Sequence, residues 1–131
     1  MNTRNRFEKS IIEKSKIINK NGYVTSTHEN LIEGVTEDLF KGDLIKGRGN
    51  ELNRKFKALY SSSALAVNSF ALIKKLSVYE FLGYSNFNKI SFERPFETGL
   101  PGTPPTLDFV LENENVIIGF ESKYLELTLI F

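Results

Sequence analysis

Asp108, Glu121 and Lys123 are the residues whose types and spacing suit a hydrolytic site. Asp108 opens an apolar run just after Pro104 and Pro105, and Glu121-Ser122-Lys123 closes the next such run. Two carboxylates can hold a Mg²⁺ or Mn²⁺ ion, which neutralises phosphate charge and makes water a nucleophile near neutral pH. An ammonium two residues further along the same strand face can orient that water or stabilise charge developing on the phosphate. The set fits phosphodiester hydrolysis. An Asp followed at loose spacing by Glu-x-Lys is a weak pattern alone. The plainer alternative is a solvated sheet face carrying an ion pair of little energetic value.

A hairpin would have to position these groups. Residues 106–111 and 116–125 alternate as strands, and the stretch Glu112-Asn113-Glu114-Asn115 between them suits a four-residue hairpin loop. With Leu111 facing Val116, Asp108 falls opposite Gly119 and Thr106 opposite Glu121. Side chains alternate with period two, so Asp108, Gly119, Glu121 and Lys123 share one face. Leu107, Phe109, Leu111, Val116, Ile118 and Phe120 share the other, which must be core. Diagonal neighbours across such a pair lie roughly 7–8 Å apart, close enough for two carboxylates to lean onto one cation. Gly119 would leave room for a metal or a phosphate.

Ahead of the hairpin the pattern is helical. Residues 5–19 put Phe7, Ile11 and Ile18 on one stripe, beside Ile12 and Ile17, and Asn21-Gly22 would stop that helix. Residues 28–41 predict a weaker helix with Leu31, Val35, Leu39 and Phe40 inward. Gly42, Gly47 and Gly49 lack the ending of a phosphate-binding loop and read as a connector. A third helix is expected from near Asn50, carrying Leu52, Phe56 and Leu59. Residues 61–76 are apolar nearly all round, as a buried helix is, and their serines read as cap and structural residues because no histidine follows to activate one. Residues 88–93 alternate as a strand with Ile90 and Phe92 on one face, followed by a turn-rich connector to Pro105. The order is helices, then a β-meander: α/β in composition and α+β in order.

Composition narrows the function classes. The chain has 131 residues, about one domain's worth, no cysteine and one histidine, His28. Disulfides and cysteine zinc sites are excluded, a His-His metal cage is impossible, and His28 reads as a surface residue. The first residues, MNTRNRFEKS, lack the apolar core of a secretory leader, and no run is long enough to span a membrane. The expected setting is cytoplasmic, with no membrane partner. Net charge is only +1, but between Lys41 and Lys57 the basic residues Lys41, Lys46, Arg48, Arg54, Lys55 and Lys57 face only Asp43 and Glu51.

At Pro105-Thr106-Leu107-Asp108 and Gly119-Phe120-Glu121-Ser122-Lys123 the sequence resembles the PD-(D/E)XK nuclease superfamily, the restriction endonuclease-like fold. It departs from the literal Pro-Asp pair, since Thr106 and Leu107 intervene. The stretches ELNRKFKALYSSSALAVNSF and FETGLPGTPPTLDFV also look like an uncharacterised bacterial branch of that superfamily. The resemblance covers about residues 50–124. It implies an N-terminal helical region with a basic loop over 1–49 and a partial nuclease core over 50–131, truncated at its C-terminus because a helix and strand should follow Glu-x-Lys. The implied activity is a Mg²⁺- or Mn²⁺-dependent endonuclease acting on DNA. Asp108, Glu121 and the Ser122 carbonyl would hold the metal, Lys123 would assist the water, and Glu51, or else Glu80, would supply a third carboxylate. Lys46, Arg48, Arg54, Lys55 and Lys57 would contact phosphates. A homodimer or a missing C-terminal segment would complete the fold. The alternative is a catalytically inactive module of the same fold that binds DNA or a protein partner.

Overall fold

Apolar alternation in the last third of the chain becomes a sheet. In the computed structural model, which describes residues 3–47, 52–76 and 79–123, β1 (Lys89–Pro95), β2 (Thr106–Glu112) and β3 (Ile117–Phe120) pair antiparallel in the order β1-β2-β3. The helices precede it: α1 (Thr3–Lys14), α2 (Lys41–Lys46) and α3 (Ser62–Phe70). The α+β order expected from the sequence is what forms.

Phenylalanine carries much of the packing. The Phe109 ring on β2 stacks on Phe70 of α3 at 4.5 Å and meets Phe92 of β1 at 5.0 Å and Phe120 of β3 at 5.4 Å. Phe40 stacks on Phe56 at 5.2 Å. Burying each such ring is worth roughly 1.5–3 kcal/mol, and the ring geometry adds to it. The cluster joins Val35, Phe40 and Leu44 to Phe56, Val67, Phe92, Phe109 and Leu111, so residues on both sides of position 49 share one core. Asp43 on α2 fastens this core to the sheet: its Oδ2 accepts from Lys74 Nζ at 2.7 Å and from the Phe92 N–H at 3.1 Å.

Several expected helices are shorter than their apolar stripes, each for a local reason. The first ends at Lys14 because Ser15 Oγ accepts the N–H groups of Ile17 and Ile18, an alternative to the helical bond. Ile18 then bridges Val24 across the turn that Asn21-Gly22 occupies, with Gly22 at φ +82°. The 28–41 segment resolves into 3₁₀ turns at Thr27–Asn30 and Glu37–Leu39 and then α2, interrupted by Gly34 at φ +85°. The helix expected from Asn50 is not continuous either. Asn50 lies outside the described residues, and a 3₁₀ turn occupies Lys55–Lys57. The flanking backbone is already engaged there: Val24 N–H donates to the Lys57 carbonyl, and Leu59 N–H to the Gly22 carbonyl. The apolar 61–76 run does form α3, capped by Ser61 Oγ accepting from the Ala64 N–H, and finishes as 3₁₀ at Ala71–Lys75.

The β2–β3 hairpin differs from expectation by two residues. Leu111 faces Ile118 and Phe109 faces Phe120, so the loop tightens around Glu114-Asn115. Asn113 drives this, because its Oδ1 accepts from the N–H groups of Asn115 and Val116. An even slip preserves which side chains share a face. It changes who stands opposite whom.

Candidate active site

In the observed register Asp108, one position before Phe109, faces the position of Glu121, one beyond Phe120, and no longer Gly119. Strand β3 ends at Phe120, and residues 121–123 continue as described chain without strand pairing; Leu125, the expected strand end, lies outside the described residues. Gly119 stands opposite Val110, and a Cβ there would come within 2.4 Å of Leu107 Cδ1. The expected open space beside Gly119 is therefore filled by Leu107. Nor is only one side of β2 core: Asp108, Phe109, Val110 and Leu111 are all buried.

Asp108 is 8% exposed, while Glu121 and Lys123 are exposed. The Ser122 N–H donates to Asp108 Oδ2 at 2.6 Å, and among the described residues Oδ1 accepts no hydrogen bond. Burial pushes the Asp108 carboxyl above the ordinary aspartate range; the Ser122 hydrogen bond and the Lys123 charge pull it back only in part. Glu121 is raised too, first by loss of water around its carboxyl and then by the Asp108 charge, with Lys123 again opposing. The two carboxylates and the lysine therefore act on one another electrostatically.

Such a pair suits a hard divalent cation. Its donors are oxygens, its members repel each other, and loss of water holds each towards its neutral form against the Lys123 charge. Asp108 and Glu121 fit that group. Among the described residues, no three Asp, Glu, His or Cys side chains are gathered closely enough to hold one ion.

Beside Asp108 lies a cavity of about 300 Å³, lined by Lys55, Tyr60, the serines at 61–63, Glu93 and Asp108. Ser63, on the first turn of α3, is buried and donates from Oγ to Glu93 Oε1. Glu93 and Ser63 were not singled out in the sequence. The signal for Glu93 was there in the alternation of β1: it is out of phase with Ile90 and Phe92, so it shares a face with Asp108 once Phe92 is set against Phe109.

The remaining candidates separate. Lys55 lines the Asp108 cavity, whereas Lys46 lines a different one along β1 with Lys89 and Arg94. Lys57 donates to the Thr25 carbonyl at 3.0 Å, a structural tie, and Arg54 is exposed. Glu80 is exposed and does not line the Asp108 cavity. Glu51 and Arg48 lie outside the described residues. His28 is exposed on its 3₁₀ turn.

Helices ahead of a three-stranded antiparallel meander, with Asp108 on its central strand and Glu-x-Lys just past its third, agree with the order expected of a restriction endonuclease-like core. A family model settles the membership: the chain belongs to the REase-ARP family, described as "Restriction Endonuclease associating with ARP", which matches residues 4–129. No curated protein and no solved structure matches the chain. Membership implies a nuclease, hence DNA as substrate, in a family that typically uses metal. No helix among the described residues is long and apolar enough to cross a membrane.

Proposed function

We propose that the chain is a metal-dependent endonuclease that hydrolyses DNA phosphodiester bonds at Asp108, Glu121 and Lys123. The observation that carries this reading is the nine-tenths-buried Asp108, raised by burial and charge-coupled to Glu121 and Lys123, in a chain of restriction endonuclease family. Asp108 and Glu121, with the Ser122 carbonyl, would hold Mg²⁺ or Mn²⁺. When bound, the ion would neutralise phosphate charge and acidify the attacking water. The chain's own part is positional. The Ser122 N–H fixes Asp108 Oδ2 and leaves Oδ1 for a ligand. Lys123 orients the water or meets charge growing on the phosphate as water adds to phosphorus and a P–O ester bond breaks. Lys55, in the adjoining cavity, is the basic residue of the 41–57 stretch best placed to contact a neighbouring phosphate. The association with ARP named in the family description is carried over to this chain as part of the same proposal.

The test is plasmid cleavage at millimolar Mg²⁺ or Mn²⁺, with Asp108→Asn alongside. Nicking or linearisation that Asp108→Asn loses at least about 100-fold supports the reading, since a metal ligand should cost no less than the groups that orient it. Cleavage unchanged in the variant would sink it. DNA bound without cleavage by both proteins would instead mark a nuclease-fold module that has no turnover.

A further inference from the structure

The register of the sheet has a consequence beyond the Asp108–Glu121 pair. Phe92 pairs with Phe109 and Arg94 with Leu107, so Glu93 stands between those pairs, across β1–β2 from Asp108. Phe109 pairs with Phe120, which sets Glu121 across from Asp108 on the other side. Three carboxylates thus stand in a row, the buried one in the middle, with Glu93 within β1 and Glu121 just past the end of β3. Glu93 and Asp108 line the same cavity, and the Ser122 N–H that donates to Asp108 Oδ2 holds the segment carrying Glu121 beside them.

We propose that Glu93 is a positioning residue of this site: it accepts hydrogen bonds from the water shell of the cation that Asp108 and Glu121 hold, and Ser63 orients it. The proposal rests on the metal-dependent reading given above. Adjacent strands are about 4.8 Å apart, so the ends of the row are separated by roughly twice that. One ion with oxygens at about 2.0–2.6 Å cannot take a carboxylate from both flanks and the centre of an unadjusted sheet. This agrees with the absence of a three-ligand group among the described residues. It also assigns the flanks different work. Glu121, next to the Ser122 whose N–H holds Asp108 Oδ2, takes the ion. Glu93, on the cavity side, meets what surrounds it, and Mg²⁺ characteristically keeps several waters.

The local structure holds Glu93 in this place from two sides. The buried Ser63 Oγ donates to its carboxylate from the first turn of α3. At Gly47 a Cβ would come within 3.3 Å of the Glu93 Cβ, so α2 closes on its backbone as tightly as glycine allows. Glu93 sits at φ +49°, a region that costs a non-glycine residue on the order of 1–2 kcal/mol. Asp108 supplies the point of attachment: it is 8% exposed, lines the cavity, and has Oδ1 without a hydrogen bond among the described residues.

Mn²⁺ affinity, measured on the full chain without DNA from the EPR signal of free Mn²⁺, tests this. Glu93→Gln keeps the size of the side chain and an acceptor for Ser63, and circular dichroism checks its fold. The expected result is an affinity about 10-fold weaker than that of the unaltered protein, the usual effect of removing a group that orients a metal's surroundings. Ser63→Ala should weaken it by a smaller factor, and Asp108→Asn should remove binding. Glu93→Gln binding as tightly as the unaltered protein, with Asp108→Asn not binding, would overturn the role of Glu93 and leave the metal site standing. Binding unchanged in Asp108→Asn would overturn both.

Discussion

Asp43 and Asp108 are both aspartates drawn away from solvent near a lysine, one joining α2 to β1 and the other on the middle strand. Asp43 has its charge answered in place, by Lys74 Nζ at 2.7 Å and the Phe92 N–H at 3.1 Å on the same oxygen. Lys74 also lies over the Phe92 ring at 5.1 Å, so cation, carboxylate and aromatic face close on themselves. Asp108 is more deeply buried, yet burial outweighs the Ser122 N–H and the Lys123 charge and leaves its carboxyl raised. The first arrangement is complete without a ligand, and its energy goes into the fold. The second leaves a carboxyl raised by burial, answered only in part by one N–H and the Lys123 charge, the arrangement that the proposed cation would complete.

The largest effect expected from this comparison falls on the closed pair. Asp43→Ala leaves the Lys74 ammonium and the Phe92 N–H without their acceptor, between α2 and β1. Their side chains are about one-fifth to one-quarter exposed, 20% for Lys74 and 24% for Asp43, so solvent softens the loss. A destabilisation of about 2–3 kcal/mol is expected by urea denaturation, with Mn²⁺ affinity of the folded fraction unchanged. A neutral Asp43→Ala would erase the structural side of the comparison.

The open site should respond with the opposite sign. Asp108 and Glu121 have folded-state pKa values above their ordinary ones, so folding favours their protonated forms. That contribution is complete below the ordinary carboxylate range, near pH 4, and is lost as pH rises through the raised values. At neutral pH the folded protein therefore carries the cost of a desolvated Asp108 charge. Asp108→Asn removes the charge and retains an acceptor for Ser122. It should melt higher than the unaltered protein at pH 7 without metal, and the gap should close towards pH 4. Adding Mn²⁺ should raise the melting point of the unaltered protein alone. A variant that melts lower at pH 7 would show Asp108 to be a structural acid like Asp43.

How much of this was legible in the sequence follows from which interactions are local. The alternation at 106–120 gave the hairpin and its buried apolar residues, because period two is a property of the strand itself; Glu121 and Lys123 lie past the end of β3, where that period no longer applies. The register was not legible, since it turned on one side chain, Asn113, folding back onto its own loop. The helical stripes near Ile18, Val35 and Phe56 marked residues that do pack inward or pair, but not as helices. There Ser15, Gly34 and the pairing of 22–24 with 57–59 redirected the backbone. Glu93 required the β1–β2 pairing, a contact across a long connector, and Ser63 required the docking of α3 onto the sheet. Ser63 has no local signature, and the alternation of β1 assigns Glu93 its place only once that pairing is known.

Tyr79 gives the smallest test and the sharpest control. Its hydroxyl is buried without a hydrogen-bond partner among the described residues, burial raises its pKa, and its ring stacks on Phe87 at 5.5 Å. Like Asp108 it is a buried polar group whose pKa is raised by loss of water, but among the described residues it has no partner such as Ser122 and does not line the Asp108 cavity. If unmet polarity at Asp108 reflects a ligand to come, unmet polarity at Tyr79 should be dispensable. Removing the hydroxyl leaves the ring stacking intact and deletes a desolvation cost, so Tyr79→Phe should be neutral or up to about 1 kcal/mol more stable. Cleavage and Mn²⁺ affinity should be unchanged, whereas Asp108→Asn trades both for stability. A Tyr79→Phe protein that lost metal affinity would mean that polarity without a partner does not by itself distinguish the site, and the case for Asp108 would then rest on Glu121, Lys123 and the family alone.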